Sequence, residues 1–290
     1  MHLYDSKTSR ALDKKIVQKD IPNEQLIMKA ANEIWEISKN FTKSKKIWCL
    51  SGSGNNGADA IGVAGLGLIS KKDVTLILTK APKGSAKNIF EFMKLVGLKY
   101  TTKLPSLKSI SETDLIIDGL IGTGLSRPLD SWLEKSIDWI NNAKEAGATV
   151  ISIDIPSGLN ASDGTVFKKV VNADATVMCL SPKQGCYTGF GPSCTGTLYN
   201  ANLGYQNTEK LLSGTSYLLT KDTLTARKRR NTSHKGNYGN VLILGGWDGM
   251  EGAGLLAATA SLKVGAGKVY LCGPESKHRP PEVIGVKRNI

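Results

Sequence analysis

Three short loops carry the polar side chains that could do chemistry in this sequence. They read GSGNNGADA over residues 52–60, DGLIGTGLSRP over 118–128 and DIPSG over 154–158. Each loop combines a carboxylate with glycines, and each follows an apolar run that predicts a strand. Because an open α/β sheet binds its ligands beyond the carboxyl ends of its strands, we expect the three loops to converge on one site.

The first loop spells G-x-G-x-x-G through Gly52, Gly54 and Gly57, which is the pattern of a dinucleotide-binding turn. Such a turn is usually accompanied by an acidic residue at the end of the second strand, but that strand ends here in ILTK. Asp59 would also bring negative charge close to a phosphate. These departures argue against an ordinary dinucleotide-dependent dehydrogenase, which we keep as a less favoured alternative.

The side chains of these loops are mainly hard oxygen ligands. Amides, carboxylates, hydroxyls and backbone carbonyls suit an alkali or alkaline-earth ion and are poor ligands for zinc or copper. Asp118 would be the charged ligand of such a cation. Arg127 and the backbone N–H groups of residues 122–128 could hold an anionic group such as a phosphate. The sequence therefore predicts a small cation beside an anion-binding loop.

The elements that must position the loops alternate between apolar strands and amphipathic helices. Residues 9–39 predict helix in two pieces that are separated near Pro22. The order of elements is typical of a doubly wound, Rossmann-like parallel sheet in an α/β protein. The predicted strands cover residues 47–51, 74–78, 115–118, 149–154 and 175–180, and further helices cover 85–96 and 131–146.

A second unit follows a break in this pattern. Residues 206–230 are polar and end in the basic run Arg227 to Arg230, which we interpret as a linker after a first domain of residues 1–205. Residues 231–290 contain two evident strands around one helix, which is too little to bury both faces of a parallel sheet. We therefore expect residues 231–290 to form an incomplete α/β segment.

Composition narrows the class of protein further. The 290 residues carry a formal net charge of +13, but the lysines are mostly dispersed, so we expect no nucleic-acid partner. The five cysteines form no C-x-x-C pair, which argues against a zinc site. No apolar run approaches the roughly 20 residues that span a bilayer, and no signal peptide opens the chain. We therefore expect a cytoplasmic protein without a membrane partner.

Together the three loops resemble the motifs of the NAD(P)H-hydrate epimerase family, also called the YjeF N-terminal domain family. SRALDKK near the start and SPKQGCYTGFGPSCTG after the fifth strand fit too, so the resemblance covers about residues 9–205. It implies an isomerase that interconverts the R and S forms of hydrated NADH and NADPH, and it suggests a homodimer. Ala58 and Ala60 stand where the family usually has glycine, and we expect them to be harmless if they lie within a helix.

The resemblance also implies roles for single residues. It implies a potassium ion held by Asn56, Asp118 and Ser157. Epimerisation breaks and re-forms a C–O bond and needs a general acid or base, for which Asp154 is the first candidate and Asp59 the second. Lys183 either lines the pocket or is solvated. The implied substrate contacts are Asn55, Asn56, Gly57, Ala58, Asp59, Gly122, Thr123, Gly124, Leu125, Ser126, Arg127, Pro128 and Asp154.

The second unit resembles the opening of the ADP-dependent NAD(P)H-hydrate dehydratase domain, which has a ribokinase-like fold. HKGNYGNVLILGG and PEVI match its first segments, but the later nucleotide-binding and catalytic motifs are absent, so we expect no dehydratase activity from this chain. A competing hypothesis for the first domain is a non-catalytic binding or adaptor module, possibly RNA-associated. The basic charge keeps that hypothesis open, whereas the joint presence of Asn56, Asp118 and Ser157 favours the enzyme.

Overall fold

The computed structural model of the protein describes residues 1–19, 21–41, 46–125, 128–223 and 228–286. The chain divides into two compact units, Met1–Thr220 and Lys221–Ile290. The sequence placed the end of the first domain at residue 205. The first unit extends further because residues 216–217 pair with residues 2–3 at the N-terminus.

A parallel sheet of seven strands forms the centre of the first unit. Its order is β4-β3-β2-β5-β6-β7-β8, and β1 pairs separately with β9 in an antiparallel ladder. The order reverses between β2 and β5, so their carboxyl ends border the crevice in which such sheets bind ligands. The strands are β1 (His2–Leu3), β2 (Lys46–Ser51), β3 (Asp73–Leu78), β4 (Lys99–Thr101), β5 (Leu115–Gly119), β6 (Thr149–Ile153), β7 (Ala175–Cys179), β8 (Thr197–Ala201) and β9 (Ser216–Tyr217).

Helices cover both faces of this sheet, which confirms the predicted doubly wound fold. On one face, Leu12, Ile34 and Ile61 share a core with strand residues such as Leu76. On the other face, α5 packs Ile140 and its neighbours against the sheet. The helices of this unit are α1 (Ser6–Lys19), α2 (Asn23–Ser38), α3 (Asn55–Ile69), α4 (Ser85–Leu95), α5 (Ser131–Glu145) and the short α6 (Gly191–Cys194).

The five predicted strands of the first domain are confirmed to within one residue at each end. Strands β4 and β8 were missed, because KYT and TLYNA are short, partly exposed edge sequences without a continuous apolar run. Ala58 and Ala60 both lie within α3 and are fully buried. Alanine in place of the family's usual glycine at these two positions is therefore compatible with a regular helix.

The second unit contains three parallel strands in the order β10-β11-β12. These are β10 (Asn240–Leu244), β11 (Lys268–Cys272) and β12 (Val283–Val286), and the helix α7 (Glu251–Val264) joins the first two. Sequence analysis found two of the three strands. The buried cluster of this unit has four members, Ala258, Val269, Leu271 and Val283. In the part of the chain that the structure describes, no helix has both the length and the apolar character that crossing a bilayer requires.

Candidate active site

A cavity of about 500 Å³ lies at the carboxyl ends of β2, β5 and β6. Residues 52–56, residues 120–125 and Asp154 all line it, so the structure brings the three loops together. Gly122 shows how closely they approach. A Cβ atom at Gly122 would lie 3.1 Å from Oδ2 of Asp154 and 3.2 Å from Oδ1 of Asn56. A side chain at this position would therefore press on both of the other loops.

The first loop turns from β2 into α3 through glycines that leave no room for a side chain. A Cβ atom at Gly57 would lie 2.0 Å from the carbonyl oxygen of Gly52. A Cβ atom at Gly52 would lie 1.9 Å from the carbonyl oxygen of Leu120, which belongs to the second loop. The glycine pattern thus serves backbone packing between two loops, and it directs Asn56 and Asp59 of α3 to the cavity.

Lys183 and Asp154 form an ion pair in the wall of this cavity. The Lys183 ammonium also donates a hydrogen bond to the carbonyl oxygen of Cys179, at 2.5 Å. The side chain of Lys183 is buried, not solvated. Burial by itself lowers the pKa of Lys183, but the negative charges of Asp154 and Asp13 outweigh it and raise the pKa. Lys183 is therefore a permanently charged group at a buried position.

Two further carboxyl groups share this environment. Burial raises the pKa of Asp59 well above its usual range, and the charges of Asp154 and Asp13 raise it further. Burial also raises the pKa of Asp13 to about 6, against the opposing effect of Lys183. Burial therefore favours the protonated form of Asp59, in the same cavity as the ion-paired Asp154. A buried carboxyl group with a raised pKa, in one cavity with a charged pair, is typical of acid–base sites.

The backbone at Asp154 is held in an uncommon conformation. Its φ is 66°, in the left-handed region that few residues other than glycine adopt. Its N–H donates to the carbonyl oxygen of Val177 at 2.7 Å, and its Oδ1 accepts a hydrogen bond from the N–H of Cys179 at 3.3 Å. Such conformations cost about 1–3 kcal/mol and concentrate at functional sites. The surrounding contacts thus fix this carboxylate at the end of β6.

Asp118, at the end of β5, has a different environment. It is completely buried and accepts hydrogen bonds from Oγ of Ser152 at 2.8 Å and from the N–H of Leu120 at 3.3 Å. Ser157 donates two more, from Oγ at 2.6 Å and from its N–H at 2.9 Å. Burial raises the pKa of Asp118 more than these hydrogen bonds lower it. The carboxylate thereby ties β5 and its loop to β6 and the third loop.

The predicted cation ligands lie in one neighbourhood. Ser157 contacts Asp118 directly, and Asn56 lies against Gly119 and Gly122 of the loop that follows Asp118. Nδ2 of Asn56 is the one buried side-chain nitrogen or oxygen of the described residues that has no hydrogen-bond partner. Buried polar atoms are normally hydrogen-bonded, so this nitrogen is an exception. If the amide is turned by 180°, its oxygen takes the place of the nitrogen and can bind a cation. The donor set fits an alkali ion.

The remaining predicted contacts divide into three groups. Asn55, Thr123, Gly124, Leu125 and Pro128 line the cavity. Of the described candidates, Gly57 and Ala58 are buried in the start of α3 and do not line it. Ser126 and Arg127 lie outside the described residues.

Sequence reasoning missed several residues of the cavity wall. Arg10 and Asp13 reach it from α1, and Thr79 and Lys80 reach it from the end of β3. Asp13 is followed by lysines in the predicted N-terminal helix. This pattern indicates a solvent-exposed side chain and not a residue of the cavity wall. The ILTK ending of the second strand was considered only for its missing acidic residue, and Lys80 at its end pairs with Asp130 at 2.6 Å.

Comparison with known proteins places these findings in context. A profile of the family described as YjeF-related protein N-terminus matches residues 23–185. The chain is 31% identical to the bifunctional NAD(P)H-hydrate repair enzyme Nnr of Coxiella burnetii, over 92% of this chain and 55% of that protein. It is 30% identical to the enzyme of that name from Escherichia coli, over 84% of this chain and 48% of that protein. The chain thus spans about half the length of these curated relatives.

A solved structure supports the fold independently. The crystal structure of yeast ynu0, YNL200c, superimposes with a TM-score of 0.63. The match covers 76% of this chain and 98% of the yeast chain, at 16% sequence identity. The architecture of the first unit is therefore shared with a known protein.

Proposed function

The chain belongs to the family of YjeF-related protein N-termini, and from this premise we propose that it interconverts the R and S forms of hydrated NADH and NADPH. The names of its bifunctional relatives, NAD(P)H-hydrate repair enzymes, support the substrate class. One structural observation carries the proposal: Asp59, a buried carboxyl group whose pKa burial raises, lines the same cavity as the ion-paired Asp154. Its volume of about 500 Å³ falls within the usual range for small-molecule sites.

The reaction itself dictates which groups are needed. The hydroxyl group on the hydrated ring carbon takes up a proton and leaves as water, which breaks the C–O bond. Water then adds to the other face of the resulting cationic ring and releases a proton. The site must therefore supply a proton donor and a proton acceptor close to the same carbon.

Asp59 and Asp154 meet these two requirements. Asp59, whose protonated form is favoured by burial, donates the proton to the departing hydroxyl group. The Asp154 carboxylate accepts a proton from the returning water. One turnover moves one proton from Asp59 to Asp154, and exchange with solvent restores both groups. Loss of its proton leaves Asp59 negatively charged in the cavity that holds the cationic ring, and this charge stabilises the ring.

A bound potassium ion would be held by Asn56, Asp118 and Ser157. It would supply a fixed positive charge beside a buried carboxylate, and so hold the second and third loops in register. The second loop, with the N–H groups of Thr123 and Gly124, is suited to an anionic group of the substrate. The homodimer and the cytoplasmic location stay predictions.

The first experiment tests turnover. Purified protein is mixed with the pure R hydrate of NADPH, without any dehydratase, and the S hydrate is followed by chromatography. We expect S hydrate to form faster than in a protein-free sample, and substitution of Asp154 by Asn to remove the difference. A folded wild-type protein that does not accelerate conversion would contradict the proposed function.

A second experiment tests the ion without relying on activity. Because a ligand that binds only the folded state raises its stability, potassium chloride should raise the melting temperature above that in sodium chloride. Asp118→Asn should remove this difference. Equal melting temperatures of the wild-type protein in the two salts would contradict the potassium site.

A further inference from the structure

Lys183 is buried to a degree that lysine rarely reaches. Only 1% of its surface is exposed, although it lies on the segment that follows β7 at the edge of the cavity. Lysine is almost never fully buried unless it is paired, because removing its charge from water is costly. Packing alone would be better served by an apolar side chain. The groups that contact the Lys183 ammonium must therefore account for its burial.

The partners of Lys183 belong to separate parts of the chain. Its ammonium contacts Oδ1 of Asp154 and the carbonyl oxygen of Cys179. Asp13 of α1 adds a second negative charge that acts on the ammonium. Asp59 of α3 is the third carboxyl group of this environment. One ammonium thus lies among three carboxyl groups, and Asp154 is the one it contacts directly.

The N-terminal segment holds Lys183 from the other side. The N–H of Tyr4 donates to the carbonyl oxygen of Pro182 at 2.9 Å, and the N–H of Gln184 donates to the carbonyl oxygen of Tyr4 at 2.9 Å. Oγ of Ser9 lies 3.1 Å from Oγ of Ser181. The residues on both sides of Lys183 are therefore tied to the segment that leads into α1. The family profile begins only at residue 23, so this support lies outside the matched region.

We propose that Lys183, supported by Asp13, is a positioning residue that holds the Asp154 carboxylate in place in the cavity for proton acceptance. The inference rests on the proposed function. Without the ammonium, the Asp154 carboxylate would lose its direct ion-pair partner, while the charge of Asp13 would remain in the same cavity. The carboxylate would then turn away from its position, and the acceptor of the reaction would be lost. The N-terminal helix would then contribute to catalysis through Asp13, without contacting the reacting atoms.

The test measures kcat and KM for the R hydrate of NADPH in four full-length variants. Lys183→Met should lower kcat about 100-fold, the scale of a lost acid–base group, with little change in KM. Lys183→Arg keeps the charge and should recover at least about a tenth of the wild-type kcat. Asp13→Asn should lower kcat by about 3- to 10-fold, because it removes only the supporting charge.

Lys144→Met is the matched control. Lys144 pairs with Asp174 at 2.8 Å, does not line the cavity, and is partly exposed. Removing an ion pair of this kind should change kcat by less than about twofold. A Lys183→Met variant that folds and keeps more than about a third of the wild-type kcat would overturn the proposal, as would a loss confined to KM. If Lys183→Met does not fold, an unchanged kcat in Asp13→Asn overturns it.

A crystal structure of Lys183→Met separates this inference from the proposed function. If the wild-type protein does not turn over the hydrate, the proposed function fails, yet the positioning role is still measurable. The inference predicts that the Asp154 carboxylate leaves its wild-type position or becomes disordered in the variant. An Asp154 side chain that stays in place would overturn the positioning role whatever the activity.

Discussion

Asp118 and Asp154 end neighbouring strands and are followed by similar glycine-containing loops, yet the structure gives them different surroundings. Asp118 is completely buried and accepts hydrogen bonds from two serine hydroxyl groups and two backbone N–H groups. Asp154 lines a cavity, pairs with the ammonium of Lys183 and lies on a left-handed backbone. The first carboxylate holds loops together, and the second one faces the cavity.

The comparison shows that an aspartate at the end of a parallel strand is not by itself a catalytic signal. The groups that contact the carboxylate decide its role. Asp118 accepts hydrogen bonds from Ser152 of β6 and from Ser157 and Leu120 of the loops. Asp154 instead pairs with the ammonium of Lys183, from a distant segment, and lines the cavity. Four substitutions test this difference between the two carboxylates, and we expect their effects to decrease in the order given below.

Asp154→Asn should have the largest effect on activity. Loss of the proton acceptor should lower the rate of R to S conversion by about 10³-fold, within the range for general acid–base groups. The change also leaves the buried Lys183 ammonium without its direct carboxylate partner, so the melting temperature should fall, and the rates are compared per amount of folded protein. Near-normal rates in this variant would remove Asp154 from the mechanism.

Asp118→Ala should have the largest effect on stability. It leaves the buried donors of Ser152, Ser157 and Leu120 without an acceptor, which should cost about 3 kcal/mol of unfolding free energy. Urea unfolding measures the loss. Glu91→Ala is the control, because Glu91 belongs to an exposed ion pair with Lys94 and should cost less than about 0.5 kcal/mol. Equal stability of the two variants would refute the structural role of Asp118.

Asp13→Asn should change how stability depends on pH. Asp13 binds its proton more tightly in the folded protein, where its pKa is about 6, than in the unfolded chain. Its protonation therefore stabilises the folded state fully below pH of about 4, and this contribution is lost as the pH rises through about 6. Asn does not titrate. As the pH rises through this range, the unfolding free energy of the wild-type protein should therefore fall by about 2 kcal/mol relative to that of the variant.

Unfolding free energies at pH 4 and pH 7 test this linkage. A stability difference between wild type and Asp13→Asn that is the same at both pH values would mean that Asp13 titrates normally.

Ser152→Ala should have the smallest effect. It removes one of the hydrogen bonds to Asp118, at 2.8 Å, and should cost about 1 kcal/mol of unfolding free energy. Because Ser152 does not line the cavity, kcat and KM should be unchanged. A large loss of activity at full stability would show that Asp118 and its partners act in the reaction and not only in the fold.

The sequence predicted the sheet because its central strands are continuous apolar runs, and it predicted the loops because their polar residues follow those runs directly. It could not predict the charged cluster. Asp13, Asp59, Asp154 and Lys183 are far apart along the chain, and each alone is compatible with a solvated or capping side chain. Asp13 and Lys183 reach the cavity only because the N-terminal segment packs against the residues that follow β7.

The edges of the fold were equally hard to predict. Strands β4 and β8 depend on pairing with one neighbour each, and their sequences do not alternate clearly between apolar and polar residues. The third strand of the second unit is four residues long and mostly exposed. Local sequence carries little information about strands of this kind, because their partners and not their own burial stabilise them.

The most direct test of the account starts the reaction from both sides. Wild-type protein is incubated separately with the pure R hydrate and the pure S hydrate of NADPH, and both epimers are quantified by chromatography over time. An epimerase that uses Asp59 and Asp154 must bring the two mixtures to the same ratio of R to S, faster than in the protein-free samples. Mixtures that keep their starting epimer as slowly as the protein-free samples, with the protein folded throughout, would contradict it.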